Sequence, residues 1–505
     1  MAYRTINPAT GKVVKAYDDI SDAALSEAMD VAQACYENDW PLRSIAQRAE
    51  VIHAAAELMR RNRDRLASLA TLEMGKPIAE AKSEVTLSAD IFDYYAKMAE
   101  TFLKPRPIPD VPNATIETFS LGIILGVEPW NFPYYQVARV AAPQLMAGNV
   151  LVVKHASNVP QSALAFAQVL EEAGAPKGAY TNIFASTDQV GRLIEDTRVR
   201  GVTVTGSEGA GAAIAERAGR KLKKSVLELG GSDPLLILED APFEATLDNA
   251  MWGRMNTTGQ SCTASKRVIV VGKERGEQFL EGLRIRMSSL RAGNPADPAT
   301  TLAPLSSDNV MTGLLQQIES AKAAGATVVT GGGRIDRPGF YLEPTILTDI
   351  TEHNPIYTQE LFGPVLSFYV VESQEEAIKV ANATSFGLGA SVFTANLERG
   401  KAVARRIESG MVYVNRPVWS APELPFGGVK NSGYGRELSE LGIGEFVNRK
   451  LINVSAAGSP PPSDDQAGWE GLICKPKAGE DAAWVGFLYD PADIAARRIT
   501  TSTSI

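Results

Sequence analysis

The sequence predicts an α/β protein built from two doubly wound α/β regions with a small β extension. Three observations support this reading. Between residues 122 and about 240, short apolar strand-like runs alternate with helical patterns, as a parallel sheet with crossover helices requires. A second alternating region runs from about 243 to 414. Between the strand-like run at 201–205 and a helical pattern lies the glycine turn Gly206-Ser207-Glu208-Gly209-Ala210-Gly211. That is the strand, turn and helix order of a ligand-binding sheet edge.

Taken in order, residues 21–73 carry apolar positions at three- and four-residue spacing and read as helical. Cys35 and His53 fall there and are expected to be packed or surface-facing. Prolines interrupt 104–109, and 114–119 alternates like a strand. Strands are expected at 122–127, 150–154, 180–184, 201–205, 225–229 and 235–238. Helices are expected at 161–173, stopped by Gly174 and Pro176, and at 209–222. From Ser455 to Asp465 the composition is that of a linker. Beyond it the segment through Trp469, Ile473, Cys474, Trp484, Phe487 and Tyr489 has enough aromatic residues for docking, with no role assigned.

Composition narrows the function classes. The 505 residues suggest about three domains, and 45% apolar with 22% charged residues is ordinary globular usage. A net charge of −9 argues against a nucleic-acid surface or an anionic membrane as partner. The amino terminus lacks the apolar core of a secretory signal, and no apolar run is long enough to span a bilayer. Three separated cysteines make no disulfide framework, which suits a reducing cytoplasm, and three histidines without cysteine clusters point to no metal.

The residue that stands out is Cys262, in Asn256-Thr257-Thr258-Gly259-Gln260-Ser261-Cys262-Thr263. Small polar flanks suit a loop that presents the sulfur; a buried structural thiol is the ordinary alternative. The turn at Gly206, Ser207 and Gly211 makes a place for a pyrophosphate, because free amides and the helix dipole face it. An ordinary αβ turn has the same letters. Lys154 ends the apolar run Val150-Leu151-Val152-Val153, where an ammonium serves a ribose hydroxyl or phosphate, or is simply solvated.

Five motifs then occur in one order: Pro129-Trp130-Asn131-Phe132-Pro133, Leu227-Glu228-Leu229-Gly230-Gly231, Gly259-Gln260-Ser261-Cys262, Glu360-Leu361-Phe362-Gly363-Pro364, and Pro425-Phe426-Gly427-Gly428 continuing to Gly433. From about Ile6 to Val454 the chain resembles the NAD(P)-dependent aldehyde dehydrogenase superfamily, and within it most the succinate-semialdehyde dehydrogenase branch. The resemblance implies a Rossmann-like cofactor domain (1–107 and 121–231), a catalytic domain (232–436) and oligomerisation segments (108–120 and 437–454); the linker and extension at 455–505 depart from the family's usual length. It implies a homodimer or homotetramer.

It also implies Cys262 as nucleophile, Glu228 as general base and Asn131 as oxyanion donor. The implied cofactor contacts are Trp130, Lys154, Gly206, Ser207, Leu229, Glu360 and Phe362, with Gly211 and Ser157 beside them. A thiolate attacks an aldehyde, fixed donors hold the oxyanion, hydride leaves for the nicotinamide, and water activated by Glu228 hydrolyses the thioester. A water-activating carboxylate favours release of the free acid.

Two departures bear on cofactor and substrate. Ser157 stands where NAD-selective relatives often carry glutamate, so repulsion toward a 2′-phosphate is absent and NADP is expected to be accepted alongside NAD. Arg139 occupies the position at which semialdehyde dehydrogenases hold the substrate's far carboxylate. The second arginine's position is Asn256, with Arg254 nearby, and the usual serine is Ala421, with Ser420 adjacent. Ser261, Ser420 and Trp419 are the other expected substrate contacts. Trp419 also fits an alternative, the same chemistry on uncharged or aromatic aldehydes. A different class, an idle structural protein of the same fold, is disfavoured by the intact Cys262, Glu228, Asn131 and Lys154.

Overall fold

The computed structural model describes residues 3–111 and 113–459. Residues 3–109 and 115–452 form one compact unit; 110–114 belong with the carboxyl-terminal segment from 453. Strands β1 (Tyr3–Asn7) and β2 (Lys12–Tyr17) form a hairpin. The single helical region expected at 21–73 is three helices: α1 (Asp22–Asn38), α2 (Ile45–Arg61) and α3 (Arg63–Met74). Ser21 and Ser44 supply the caps that divide them, and Ser44 with Gln47 closes a capping box. Helix α4 (Ile78–Leu103) follows, then β3 (Arg106–Pro107) and β4 (Ala114–Ser120).

The first doubly wound region runs β5 (Ile123–Glu128), α5 (Tyr135–Met146), β6 (Val150–His155), α6 (Pro160–Glu172), β7 (Tyr180–Asn182), α7 (Thr187–Glu195), β8 (Val199–Thr205), α8 (Glu208–Arg220) and β9 (Lys224–Glu228). These five strands are parallel in the order β9-β8-β5-β6-β7. Their apolar runs are buried on both faces, which is why they read as continuous rather than alternating. The order reverses beside β5, and a parallel sheet opens a crevice for ligands at such a point.

The expected strand at 235–238 is present as β10 (Asp233–Ile237), but it does not continue the first sheet. It pairs with β11 (Ser265–Val271) across α9 (Phe243–Met255), in a second sheet. The chain therefore changes sheets within Leu229-Gly230-Gly231-Ser232, directly after Glu228. After α10 (Lys273–Ser288) and α11 (Asp308–Ala323), the second region adds β12 (Thr327–Thr330), β13 (Thr345–Thr348), β14 (Val365–Val371), α12 (Gln374–Asn382), β15 (Gly389–Phe393), α13 (Leu397–Ala404) and β16 (Met411–Val414). The order is β12-β13-β14-β11-β10-β15-β16, parallel apart from β12. Strand β17 (Gly433–Tyr434) then returns to the first sheet, pairing antiparallel with β9 so that Gly433 sits opposite Glu228. After α14 (Ser439–Ile443), β18 (Val447–Asn453) joins β4 and β3 in a three-stranded sheet. The expected linker is described only as far as Ser459, and the aromatic segment from Trp469 lies outside the described residues.

Candidate active site

Cys262 is placed by the loop between α9 and β11. Within it Thr257 and Thr258 adopt φ of 53° and 55°, left-handed values that cost β-branched residues on the order of 1–3 kcal/mol each. Gly259 follows at φ 74°, and a Cβ there would lie 2.3 Å from the Gly363 carbonyl oxygen, so glycine is required. The contorted loop is anchored on several sides. The amide of Thr257 donates to Glu80 (2.6 Å), the amide of Ser306 donates to the Gln260 side chain (2.8 Å), and the Asn131 side chain donates to the Gln260 carbonyl (3.0 Å). Asn131 is in turn oriented by Gln136, which donates to its amide oxygen at 3.0 Å. Sequence reasoning passed over Gln260 and Gln136, because neither carries chemistry by itself.

The thiol borders two cavities. One, of roughly 280 Å³, is lined by Trp130, Asn131, Thr205, Gly206, Ser207, Glu228, Leu229, Gly230, Glu360 and Phe362 as well as Cys262. The Trp130 and Phe362 rings meet edge to face at 5.6 Å in its wall. The other, of roughly 350 Å³, includes Phe132, Tyr135, Trp252, Asn256, Ser261, Trp419, Ser420 and Phe426. The expected site residues thus separate into a cofactor side and an aldehyde side that meet at the sulfur. Half-buried Cys262 has its thiol pushed up to about 12 by burial, with Arg139 and Lys266 pulling down and Glu360 and Asp233 pushing up.

Glu228 ends β9 and is 1% exposed; neither carboxylate oxygen has a protein partner. Burial, then the neighbouring Glu437, holds its carboxyl well above the usual range, opposed by Arg139 and Arg436. A carboxyl shifted toward neutrality with free lone pairs is what a general base at ordinary pH needs.

The cofactor side fits a nicotinamide dinucleotide. Ser207 caps α8 through its hydroxyl, which accepts from the amide of Ala210 (3.3 Å), and nothing would crowd a Cβ at Gly209 within 4 Å. The turn is therefore open toward a pyrophosphate at the helix N-terminus. Gly211 has a different role from the contact expected of it. A Cβ there would lie 2.6 Å from both methyl carbons of Leu229, so its bare backbone lets Leu229 form the cavity wall. Lys154 and Ser157 stand at and just beyond the carboxyl end of β6, both half-buried, and line neither cavity. Burial lowers the Lys154 ammonium, partly offset by Asp19.

Arg139 is not where the substrate expectation put it. It lies on α5, every residue of which is buried, and its guanidinium forms an ion pair with Glu437 (2.7 Å; side chains 0% and 4% exposed). It packs 4.8 Å from the Tyr135 ring and 4.2 Å from the Phe426 ring, behind the aldehyde-side wall rather than on it. Arg254 also turns away. It is fully buried and donates to the carbonyls of Gly259 (3.0 Å), Leu361 (3.3 Å) and Gly363. Among the described residues, no lysine or arginine lines the aldehyde cavity. Its hydroxyls are those of Ser261, Ser420 and Tyr135 among others, with Tyr135 donating to Ser420 at 2.6 Å. Glu84 sets the start of α5: one oxygen accepts from the amides of Tyr134 (2.8 Å) and Tyr135 (3.2 Å), the other pairs with buried Lys76.

A cysteine between two cavities, one shaped for a nicotinamide dinucleotide and backed by a buried carboxylate, defines a thiol-dependent oxidoreductase. The family model described as "Aldehyde dehydrogenase family" matches residues 1–452. The chain is 46% identical to a succinate-semialdehyde dehydrogenase [NADP(+)] of Deinococcus radiodurans over 91% of this chain and 96% of that protein. A protein of Synechocystis described as a probable succinate-semialdehyde dehydrogenase [NADP(+)] is 44% identical, over 90% and 100% of the two chains. A crystal structure of succinic semialdehyde dehydrogenase from Streptococcus pyogenes in complex with NADP+ aligns with a TM-score of 0.88 at 47% identity, covering 90% of this chain and all of that one. The chain belongs to the aldehyde dehydrogenase family.

Proposed function

We propose that the protein oxidises succinate semialdehyde to succinate with NADP+, and that NAD+ also serves. The observation that carries the reading is Cys262 at the junction of the two cavities, with Glu228 buried and unpaired on the cofactor side. The substrate follows the activity for which the Deinococcus, Synechocystis and Streptococcus relatives are named. Cofactor choice rests on Ser157, a hydroxyl where a carboxylate would repel the 2′-phosphate.

In this reading the Cys262 thiol gives its proton to solvent and the thiolate attacks the aldehyde carbon. Asn131 and the Cys262 amide donate to the resulting oxyanion, a contribution typically worth ~10²–10³ in rate per donor. Trp130, Gly206, Ser207, Leu229, Glu360 and Phe362 would hold a nicotinamide dinucleotide, which when bound would supply the acceptor for the hydride leaving the substrate carbon. Glu228 then takes a proton from water as it attacks the thioester, releasing acid and thiol. Ser261 and Ser420 donate to the far carboxylate, Ser420 oriented by the Tyr135 hydroxyl, because Arg139 is held against Glu437 behind the wall.

A second reading keeps the mechanism and makes the substrate an uncharged or aromatic aldehyde. It is favoured by the aromatic wall and by the carboxylates of Glu80 and Glu84 on it, the second already paired with buried Lys76. Comparing kcat/KM for succinate semialdehyde, glutarate semialdehyde and benzaldehyde, each with NADP+ and NAD+, decides. Succinate semialdehyde is expected to lead benzaldehyde at least tenfold; the reverse order overturns the substrate, and tenfold selectivity for NAD+ overturns the cofactor.

We also read the first sheet as the cofactor half and the second as the catalytic half. The edge made by β4 and β18, where Phe119 and Leu451 are exposed, is proposed as the contact of a homodimer or homotetramer. Sedimentation mass tests that. No helix among the described residues is long and apolar enough to cross a membrane, and free Cys35 and Cys262 suit a cytoplasmic setting.

A further inference from the structure

One buried cation in the site has no part in the chemistry above. Lys266 is the second residue of β11, four residues after the nucleophile, and is 1% exposed. Its ammonium donates to the carbonyls of Ser261 (2.8 Å) and Cys262 (2.7 Å) and pairs with the Glu360 carboxylate (2.9 Å). Three acceptors match the three N–H bonds an ammonium carries. Two belong to the loop that presents the thiol. The third is the carboxylate on the cofactor wall, which also accepts from the amide of Gly231 at 3.1 Å.

Glu360 is held close against the turn between the sheets: a Cβ on Gly230 would lie 2.6 Å from its Oε2. Arg254 makes a parallel tie, from the Gly259 carbonyl to those of Leu361 and Gly363. Two buried cations therefore join the nucleophile loop to the segment bearing Glu360 and Phe362. The two differ in one respect: Arg254 reaches only backbone, whereas Lys266 ends on a side chain that faces the cofactor cavity.

We propose that Lys266 is a positioning residue that couples the cofactor cavity to the nucleophile, fixing the carbonyl of Cys262 and the carboxylate of Glu360 through one ammonium. A hydrophobic replacement would leave both loop carbonyls and Glu360 without their shared donor, in a place water does not readily reach. The thiol would lose a nearby positive charge and the cofactor wall its fixed carboxylate, so both properties should change together. The proposal rests on Cys262 as nucleophile and on a dinucleotide in the first cavity; it is independent of which aldehyde is oxidised.

The test uses no aldehyde, so its failure is separable from failure of the substrate assignment. In the full-length enzyme, the rate of Cys262 alkylation by iodoacetamide is measured against pH, and NADP+ affinity by fluorescence titration. Lys266→Met is expected to move the alkylation profile up by about one pH unit, a tenfold loss of thiolate at a given pH, and to weaken NADP+ about tenfold. Lys266→Arg, which keeps the charge, should restore most of the alkylation profile. Combined with Glu360→Gln, the loss of NADP+ affinity should fall well short of the sum of the single losses. A folded Lys266→Met enzyme with both properties unmoved, or with only one moved, overturns the coupling. Should Lys266→Met not fold, Glu360→Gln carries the test. Removing a negative charge held on the ammonium must move the alkylation profile to lower pH, and an unmoved profile overturns the proposal.

Discussion

Replacing Arg139 with methionine tests the least expected feature of the site. Arg139 and Glu437 form a pair that solvent barely reaches, 2.7 Å apart. Removing one partner of such a pair leaves a buried charge uncompensated, which costs about 3–5 kcal/mol. At roughly 2 °C per kcal/mol, the low end for large domains, the Tm of Arg139→Met should fall by about 6–10 °C. The double variant Arg139→Met with Glu437→Gln removes the orphaned carboxylate and should recover most of that loss. Thermal unfolding without cofactor gives the first quantity. Kinetics with succinate semialdehyde and with butanal, which has the same chain length but no carboxylate, gives the second. If Arg139 braces Tyr135 and Phe426 from behind, both aldehydes lose kcat/KM by similar factors. A Tm within 2 °C of wild type, together with a loss confined to succinate semialdehyde, would refute the bracing role and restore Arg139 as a substrate ligand.

Other outcomes follow from the same geometry. Glu228→Gln should retain a stoichiometric burst of NADPH and lose steady turnover by ~10² or more, because only thioester hydrolysis needs the base. The variant should also be more stable, increasingly so at higher pH. Burial raises the folded-state pKa of Glu228, so ionisation opposes folding as pH rises, and glutamine removes that penalty. A constant Tm difference between pH 6 and 9 would contradict this. Without cofactor, alkylation of Cys262 should still be rising at pH 10, since burial pushes the thiol up to about 12; a plateau below pH 8 would contradict the environment described. Gly211→Ala places a methyl 2.6 Å from Leu229, an overpacking cost of about 1–3 kcal/mol. Titration should show NADP+ affinity falling about tenfold, and an unchanged Kd would mean that Leu229 does not shape the cavity.

Much of this fold was legible because parallel strands buried on both faces leave short apolar runs. The runs at 150–154 and 201–205 lie within β6 (Val150–His155) and β8 (Val199–Thr205). The change of sheet between Glu228 and Asp233 was not legible. The runs on either side look alike, and only pairing partners far along the chain separate them. The two cavities meet at a loop whose letters, Thr-Thr-Gly-Gln-Ser-Cys, do signal exposure of a thiol. What they do not signal is what holds the loop. Glu80 and Ser306 reach it across the chain, Gln136 acts on it through Asn131, and Lys266 reads as one polar residue near the start of a strand. Arg139 misled for the same reason. Its partner Glu437 lies nearly 300 residues on, and local spacing cannot show that an arginine already faces a buried carboxylate.

The central claim is that succinate semialdehyde becomes a thioester on Cys262 before water releases it. Glu228→Gln enzyme mixed with succinate semialdehyde and NADP+, quenched within seconds and examined by peptide mass spectrometry, tests this directly. The expected result is one succinyl group per chain on the Cys262 peptide, equal in amount to the NADPH formed. NADPH formation with Cys262 unmodified, or no NADPH at all while benzaldehyde produces it, would contradict the account.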